Sequence, residues 1–288
     1  MTDFTSIFFG TPHFAVYTLQ ILEEAGMLPD VIVTAPDKPA GRGLQLKEPP
    51  VKEWALARDI PVLQPGNLKE ESGAMDLIRN SEWDIFIVSA YGKLLPKDIL
   101  ALPKYGTLNV HPSLLPRFRG ASPIESQILA DERETGVTIM LMDEEMDHGP
   151  ILAQASVTPE EWPLKARVLE EMLATIGGEL LAETLVPYMG QKIPLEPQDH
   201  SKATLTKKIE KADGEISLAD DPYQNYLKYC AYDGWPGVFF IYEKNAGQKI
   251  RVKITDAEYK NGVFTPLKVI PEGKKEIPYQ TFLAGSRA

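Results

Sequence analysis

The chain has 288 residues, of which 43% are hydrophobic and 25% charged, the balance of a soluble globular protein with room for two modest domains. Its single cysteine, Cys230, excludes an internal disulfide framework and an all-cysteine zinc site, and reads as a small buried apolar residue. The net charge of −11 argues against a generic nucleic-acid binder. That charge is uneven: residues 1–200 hold 16 Lys and Arg against 30 Asp and Glu, whereas residues 201–288 hold 14 against 11. A slightly basic tail behind an acidic body is the asymmetry to look for where a C-terminal part touches a polyanion. No basic-then-apolar leader opens the chain, and no apolar run approaches the ~20 residues of a membrane span. A cytoplasmic protein without membrane contact is expected, and a monomer.

The first two-thirds alternate strand-like and helix-like segments. Ser6–Phe9 is a short apolar run stopped by Gly10-Thr11-Pro12, and residues 13–25 then carry Phe14, Val16, Leu19 and Leu22 at helical spacing. Strands are expected at 30–35, 61–63, 84–90 and 106–110, and helices at 49–58 and 71–80. Strands separated by helices imply a mostly parallel, Rossmann-like sheet with helices on both faces. Residues 135–143 and 151–157, joined by a turn at Asp147-His148-Gly149, read as an antiparallel pair added to it. A long helix spans about 164–188, with Gly177-Gly178 costing about 1 kcal/mol each against alanine. Residues 190–206 are polar, with Pro194 and Pro197 and little periodicity, and read as a linker. Domains are therefore expected at 1–189 and 207–288. The second opens with a helix near 222–231 and continues with strands at 237–242, 249–254 and 262–270. There is no internal repeat and no low-complexity segment.

The chemistry-bearing residues gather in Asn109-Val110-His111-Pro112. Residues two apart on a strand share a face, so Asn109 and His111 project together, and Pro112 ends the ladder there. Open α/β sheets bind ligands at such strand termini. An amide that can hold developing negative charge, an imidazole that can move a proton and a carboxylate suit acyl transfer. A lone histidine after a strand is more often structural, and it is the company of Asn109 that favours chemistry. Among the acids at 143–147, Asp147 stands out by preceding Gly149 at a turn tip. His13, His148 and His200 gain no such support, and no grouping has metal-ligand spacing, so no metal is expected. Gly10-Thr11-Pro12 lacks the G-x-G-x-x-G spacing, and Gly41-Arg42-Gly43 lacks the following Gly-Lys-Ser/Thr, so a nucleotide cofactor is not expected. Arg117 and Arg119 flank Phe118 in a loop that reads equally as surface or as an anion contact. The proline-rich stretch 36–50 carries Lys38, Arg42 and Lys47, and suits an arm gripping a nucleic-acid backbone. On the strand at 249–254, Lys249, Arg251 and Lys253 alternate with Ile250 and Val252, which puts three cations on one face. A guarded edge strand is the bland alternative.

Several blocks occur together in one order: Phe8-Phe9-Gly10-Thr11-Pro12, the 38–43 segment Lys-Pro-Ala-Gly-Arg-Gly, Ala90-Tyr91-Gly92, residues 109–120, the 135–140 segment Thr-Gly-Val-Thr-Ile-Met, Asp147, and Trp235-Pro236-Gly237. In these the chain resembles the folate-dependent formyltransferases over almost its whole length. The resemblance implies 10-formyltetrahydrofolate as formyl donor and Asn109, His111 and Asp147 as catalytic residues. It further implies that Ser113, Leu114, Leu115 and Pro116 contact the reduced folate, and that residues 207–288 form a small OB-like β-barrel. Within the family the chain is most similar to members that formylate the α-amino group of methionine on initiator tRNA. Lys38, Arg42 and Lys47 would then meet the tRNA acceptor stem, and Lys249, Arg251 and Lys253 its backbone. Sugar-amine N-formyltransferases and formyl-folate hydrolases can use the same three residues and stand as the alternatives. At 148 the chain has His where the family usually carries a small hydroxyl residue.

Overall fold

The computed structural model describes residues 4–40, 45–70, 72–243 and 247–285. In chain order the elements begin with β1 (Ser6–Gly10), α1 (His13–Glu24), β2 (Val31–Val33), β3 (Lys38–Ala40), β4 (Gln45–Lys47) and α2 (Pro50–Leu56). They continue with β5 (Val62–Leu63), α3 (Gly73–Asn80), β6 (Ile85–Ser89), α4 (Lys97–Leu100), β7 (Thr107–His111), β8 (Arg119–Gly120) and α5 (Pro123–Leu129). Next are β9 (Thr135–Leu141), β10 (Ile151–Val157), α6 (Ala166–Met189), β11 (Leu205–Thr206) and α7 (Pro222–Ala231). The chain ends with β12 (Phe239–Glu243), β13 (Lys249–Lys260), β14 (Val263–Pro271), β15 (Ile277–Pro278) and α8 (Tyr279–Gly285). Two compact units interleave along the sequence: Met1–Gly120 with Thr135–Val157 and Glu170–Leu205, and Ala121–Glu134 with Thr158–Leu169 and Thr206–Ala288.

The first unit is built on a seven-stranded sheet in the order β10-β9-β7-β6-β1-β2-β5. β7, β6, β1, β2 and β5 run parallel, and β9 and β10 add the antiparallel pair expected at one edge. Every residue of β1, β6 and β7 is buried, as a parallel sheet covered on both faces requires. The period-2 alternation sorts them: Ile7 and Phe9, Val31 and Val33, and Phe86 and Val88 share one core with Met75, Ile78 and Ile99. At about 1.5–3 kcal/mol per large apolar side chain, this burial is the main force holding the sheet and its helices together. Toward the other face, a Cβ at Gly177 would sit 2.6 Å from Val110 Cγ1, and one at Gly178 would sit 2.8 Å from Ile21 Cβ. The two glycines that weaken α6 as a helix are thus what lets it approach the sheet and α1 so closely.

Two segments differ from the sequence expectation. The stretch 36–50 holds a short antiparallel ladder, with Lys38 opposite Lys47 and Pro39 opposite Leu46. Residues 190–205, expected as part of a linker, are packed onto the first unit. Ile151 N donates to Glu196 O at 2.8 Å and Glu196 N to Ile151 O at 2.9 Å, Gln198 is buried, and Arg119 N donates to Thr204 O at 2.9 Å. The segment is polar because its partners are backbone carbonyls and amides, a reason that composition does not reveal.

In the second unit β12, β13, β14 and β15 form an antiparallel meander. Ile250, Val252 and Ile254 point into its core with Phe264, Val269 and Phe282. The expected small C-terminal β domain is present. Its ladder runs in sequence order and does not close into a barrel among the described residues. α7 starts at Pro222 with Asp221 accepting from Gln224 N at 2.8 Å, and it packs on α5, β13 and β14.

Candidate active site

β7 delivers its side chains to the carboxyl end of the parallel sheet, between β6 and β9. Asn109 and His111 share a face, as the period of the strand dictates, and both are buried. Asp147 lies 38 residues from Asn109 in the turn between β9 and β10. Its φ of +51° is left-handed, uncommon for an L residue and enriched in Asp and Asn. Two residues on, a Cβ at Gly149 would run into the carbonyl of Leu141, so only glycine lets this turn fold back onto β9.

The three side chains converge on one oxygen. Asn109 Nδ2 lies 3.5 Å from Asp147 Oδ1, and His111 Nδ1 lies 3.6 Å from that same atom. These separations exceed good hydrogen-bond lengths and leave the amide, the imidazole and the carboxylate facing a common point. The other carboxylate oxygen is firmly held, with Gly120 N donating to Asp147 Oδ2 at 2.7 Å. His111 Nε2 lies 3.1 Å from the carbonyl of Phe118, itself left-handed at φ +59°. A carbonyl can only accept, so Nε2 carries the hydrogen and Nδ1 presents its lone pair toward Asp147 in the neutral ring. The short contact that orients the ring is thus the one to Phe118, with Asp147 Oδ1 farther off at 3.6 Å.

Ser113, Leu114, Leu115 and Pro116 follow directly. Ser113 Oγ donates to Arg117 O at 2.7 Å, Thr138 Oγ1 donates to Ser113 O at 2.7 Å, and Gln154 Nε2 donates to Leu115 O at 2.9 Å. Ser113 and Leu115 are buried and their polar groups are spent internally, so Leu114 and Pro116 are the members with surface to offer. A cavity of about 640 Å³ opens beside the start of β7, lined by Leu100, Ala101, Leu141, Met142, Asp143 and Glu144 among others. Lys97 pairs with Glu144 at its edge.

Arg119, read as an anion contact or surface residue, is buried at 6% exposure and spends its guanidinium on protein acceptors. Its Nε and Nη2 donate to Gln198 Oε1 at 3.1 and 2.6 Å, and Nη2 also donates to His200 Nδ1 at 2.9 Å. His148 and His200, unsupported in the sequence, stack face to face with ring centroids 4.1 Å apart, and His148 Nδ1 lies 2.6 Å from Asp143 Oδ2. The sequence offers no sign of Gln198 or of its pairing with Arg119, because that contact spans 79 residues.

Lys38 and Lys47 are exposed and face each other across β3 and β4; Arg42 lies outside the described residues. Lys249, Arg251 and Lys253 do share one face of β13, alternating with buried Ile250, Val252 and Ile254. Lys249 is exposed, whereas Arg251 stacks 3.7 Å over the Phe239 ring and the Lys253 chain lies along Gly237. Among the described residues no group of three His, Cys, Asp or Glu is placed to hold a metal ion. No helix among them is long and apolar enough to cross a membrane.

An amide, an imidazole and a carboxylate gathered at the carboxyl end of a parallel strand are groups whose chemistry suits group transfer. Residues 5–185 match the family described as formyl transferase, and the chain belongs to that family. A relative named methionyl-tRNA formyltransferase, from Chloroflexus aurantiacus, is 41% identical over 266 residues, 92% of this chain and 84% of its own. The solved methionyl-tRNA formyltransferase from Clostridium thermocellum superposes with a TM-score of 0.60 at 16% identity, covering 96% of this chain and 99% of that one. An N-formyltransferase from Helicobacter canadensis, solved with folinic acid and dTDP-3-aminofucose, gives 0.62 at 15% identity over 96% and 98%. At these identities the two structures speak to the fold alone.

Proposed function

We propose that the chain transfers the formyl group of 10-formyltetrahydrofolate to the α-amino group of methionine esterified to initiator tRNA. The observation that carries this reading is the 41% identity, over 92% of the chain, to a relative named for that reaction. The meeting of Asn109, His111 and Asp147 supports it in space. The cavity beside the start of β7, walled by Leu100, Leu141 and Met142, is of small-molecule size, but Asn109, His111, Asp147 and residues 113–116 do not line it, so the donor is assigned to the 113–116 segment and not to that cavity. Leu114 and Pro116 are the parts of the 113–116 segment with surface left for contact.

The donor supplies a formyl carbon bonded to a nitrogen that can leave. Asn109 Nδ2 donates to the formyl oxygen as negative charge develops there, worth about 3–4 kcal/mol for a well-placed donor. His111 Nδ1, with its lone pair exposed because Phe118 holds Nε2–H, takes the proton released by the attacking amine and returns it to the leaving nitrogen. Asp147 stabilises the imidazolium so formed and closes the geometry with Asn109. Such distances tighten when substrate is present, so 3.5 and 3.6 Å are compatible with these roles.

Lys38, Arg42 and Lys47 are proposed to hold the acceptor stem, and Lys249, Arg251 and Lys253 to follow the RNA backbone. Purified protein is to be incubated with 10-formyltetrahydrofolate and, separately, methionyl initiator tRNA, a nucleotide-linked amino sugar, or buffer alone. Formyl on the methionine of tRNA is expected. Formylation of the sugar amine, or donor hydrolysis alone, with none on tRNA would overturn the reading.

A further inference from the structure

We propose that Gln198 is a positioning residue for Asp147, and that the buried Arg119 locks it in that task. This rests on the reading above that Asp147 takes part in the transfer. Gln198 is 5% exposed, and its carboxamide is fully engaged. Its Nε2 donates to the carbonyl of Asp147 at 2.9 Å and to that of Gly149 at 2.7 Å. Its Oε1 accepts both the Nε and Nη2 hydrogens of Arg119. Only this orientation of the amide works: flipped, it would set its oxygen against two carbonyls and its N–H groups against a guanidinium.

Asp147 needs such a tie. A left-handed L residue is sterically disfavoured and stays so only where its surroundings hold it. The two Gln198 donors grip the carbonyls on either side of His148, which pins the turn at the residue carrying the carboxylate. Arg119 is a buried cation whose acceptors at Gln198 and His200 are both neutral. Freed from Arg119, the Gln198 amide could rotate; held by the fork, it cannot. Arg119 also donates to His200 Nδ1, and His200 stacks on His148, so the turn is braced by a second route from the same guanidinium. Arg119 and Gly120 are chain neighbours, and Gly120 N holds Asp147 Oδ2. Backbone and side chain of Asp147 are thus fixed from one short stretch of chain.

The test is Gln198→Glu, which keeps the size and the Arg119 contact but replaces two donors with repulsion of two carbonyls. Gln198→Met, close in volume and lacking both functions, is read the same way should the first variant not fold. Two readouts are taken on the full chain with folding checked by circular dichroism. One is the amide proton resonance of Gly120 and its exchange rate, which report on the bond to Asp147 Oδ2 without turnover. The other is kcat and KM for tRNA and donor. An upfield-shifted, faster-exchanging Gly120 amide is expected, with kcat down about 10–100-fold, as small misplacements of reacting groups give. KM should stay within about twofold of the parent, the mark of geometry lost in the transition state alone. An unmoved Gly120 resonance, or a raised KM with kcat intact, would overturn the proposal. Full turnover in Asp147→Ala would instead sink the catalytic reading, and the Gly120 resonance would still decide the tether.

Discussion

At the scale of single residues, the proposed catalytic role of three side chains facing one point predicts losses of activity that do not add. Asn109→Ala, His111→Ala and Asp147→Ala should each remove most turnover with unchanged circular dichroism, and the triple variant should be little worse than the worst single one. A His111→Ala protein with near-parental turnover would rule out the proposed proton path. Asn109 and His111 are legible in the sequence because a strand's period of two is local. The Phe118 carbonyl that orients His111 is not, since left-handed backbone at a phenylalanine has no sequence signature. The pairing of Arg119 with Gln198 is hidden for a different reason: that contact spans 79 residues. Cys230 shows the opposite case, where composition sufficed. Burial pushes its thiol up to about 11, against an ordinary value of 9.0. The folded chain therefore keeps its proton between about pH 9 and 11 while the unfolded chain loses it, so this contribution to stability falls as pH rises through that window. At pH 8 the native thiol should react with a soluble disulfide reagent far more slowly than the urea-unfolded one. Equal rates would mean that Cys230 is not buried.

Elements test competing local terms. Gly177 costs α6 about 1 kcal/mol as a helix former, so alanine there should help an isolated helix. In the folded unit its Cβ would lie 2.6 Å from Val110 Cγ1 and 3.0 Å from Val137 Cγ1 on two different strands, and overpacking costs about 1–3 kcal/mol. The second term should win, and Gly177→Ala should lower the urea midpoint; a raised midpoint would show that α6 can withdraw from the sheet freely. The strands of the sheet were legible because burial on both faces makes them continuous apolar runs. The β3–β4 ladder was not, since a pairing of Lys38 with Lys47 runs against the repulsion of like charges. That repulsion, with Lys38 also pushing the Lys93 ammonium down after its burial, makes this hairpin a cationic feature that an anion would relieve. On β13 the alternation was read correctly, but stacking of Arg251 on Phe239 was beyond periodicity. Neutralising Lys249, Arg251 and Lys253 together should weaken tRNA binding and flatten its salt dependence. With Arg251 and Lys253 invested in packing, the slope should change by about one or two rather than three. An unaltered slope would return this face to the role of a guarded strand.

For the whole molecule, charge and chain order lead to different expectations. The excess of 14 acids over bases in residues 1–200 and of 3 bases over acids in 201–288 invites a cut between a body and a basic tail. The compact units do not obey that cut, because the second unit recruits residues 121–134 and 158–169 as well as 206–288. The recruitment is physical. α5 packs on α7, Trp162 Nε1 and Tyr223 Oη both donate to Asp131 Oδ1 at 2.7 and 2.9 Å, and the Cys230 thiol points to Pro163 O. Sequence reading missed this because a helix of seven residues with Pro123 at its start gives no sign of which partner buries it. A truncation after residue 206, sensible from the sequence alone, would strip α5 of α7 and leave buried Ile128 and the Trp162 segment without cover. The truncated chain should melt lower and less cooperatively than the parent, and should bind a hydrophobic dye that the parent does not. If it instead melted as sharply as the full chain and left the dye unbound, residues 121–134 and 158–169 would belong with the body after all. The simple division at 189 and 207 would then be the right one.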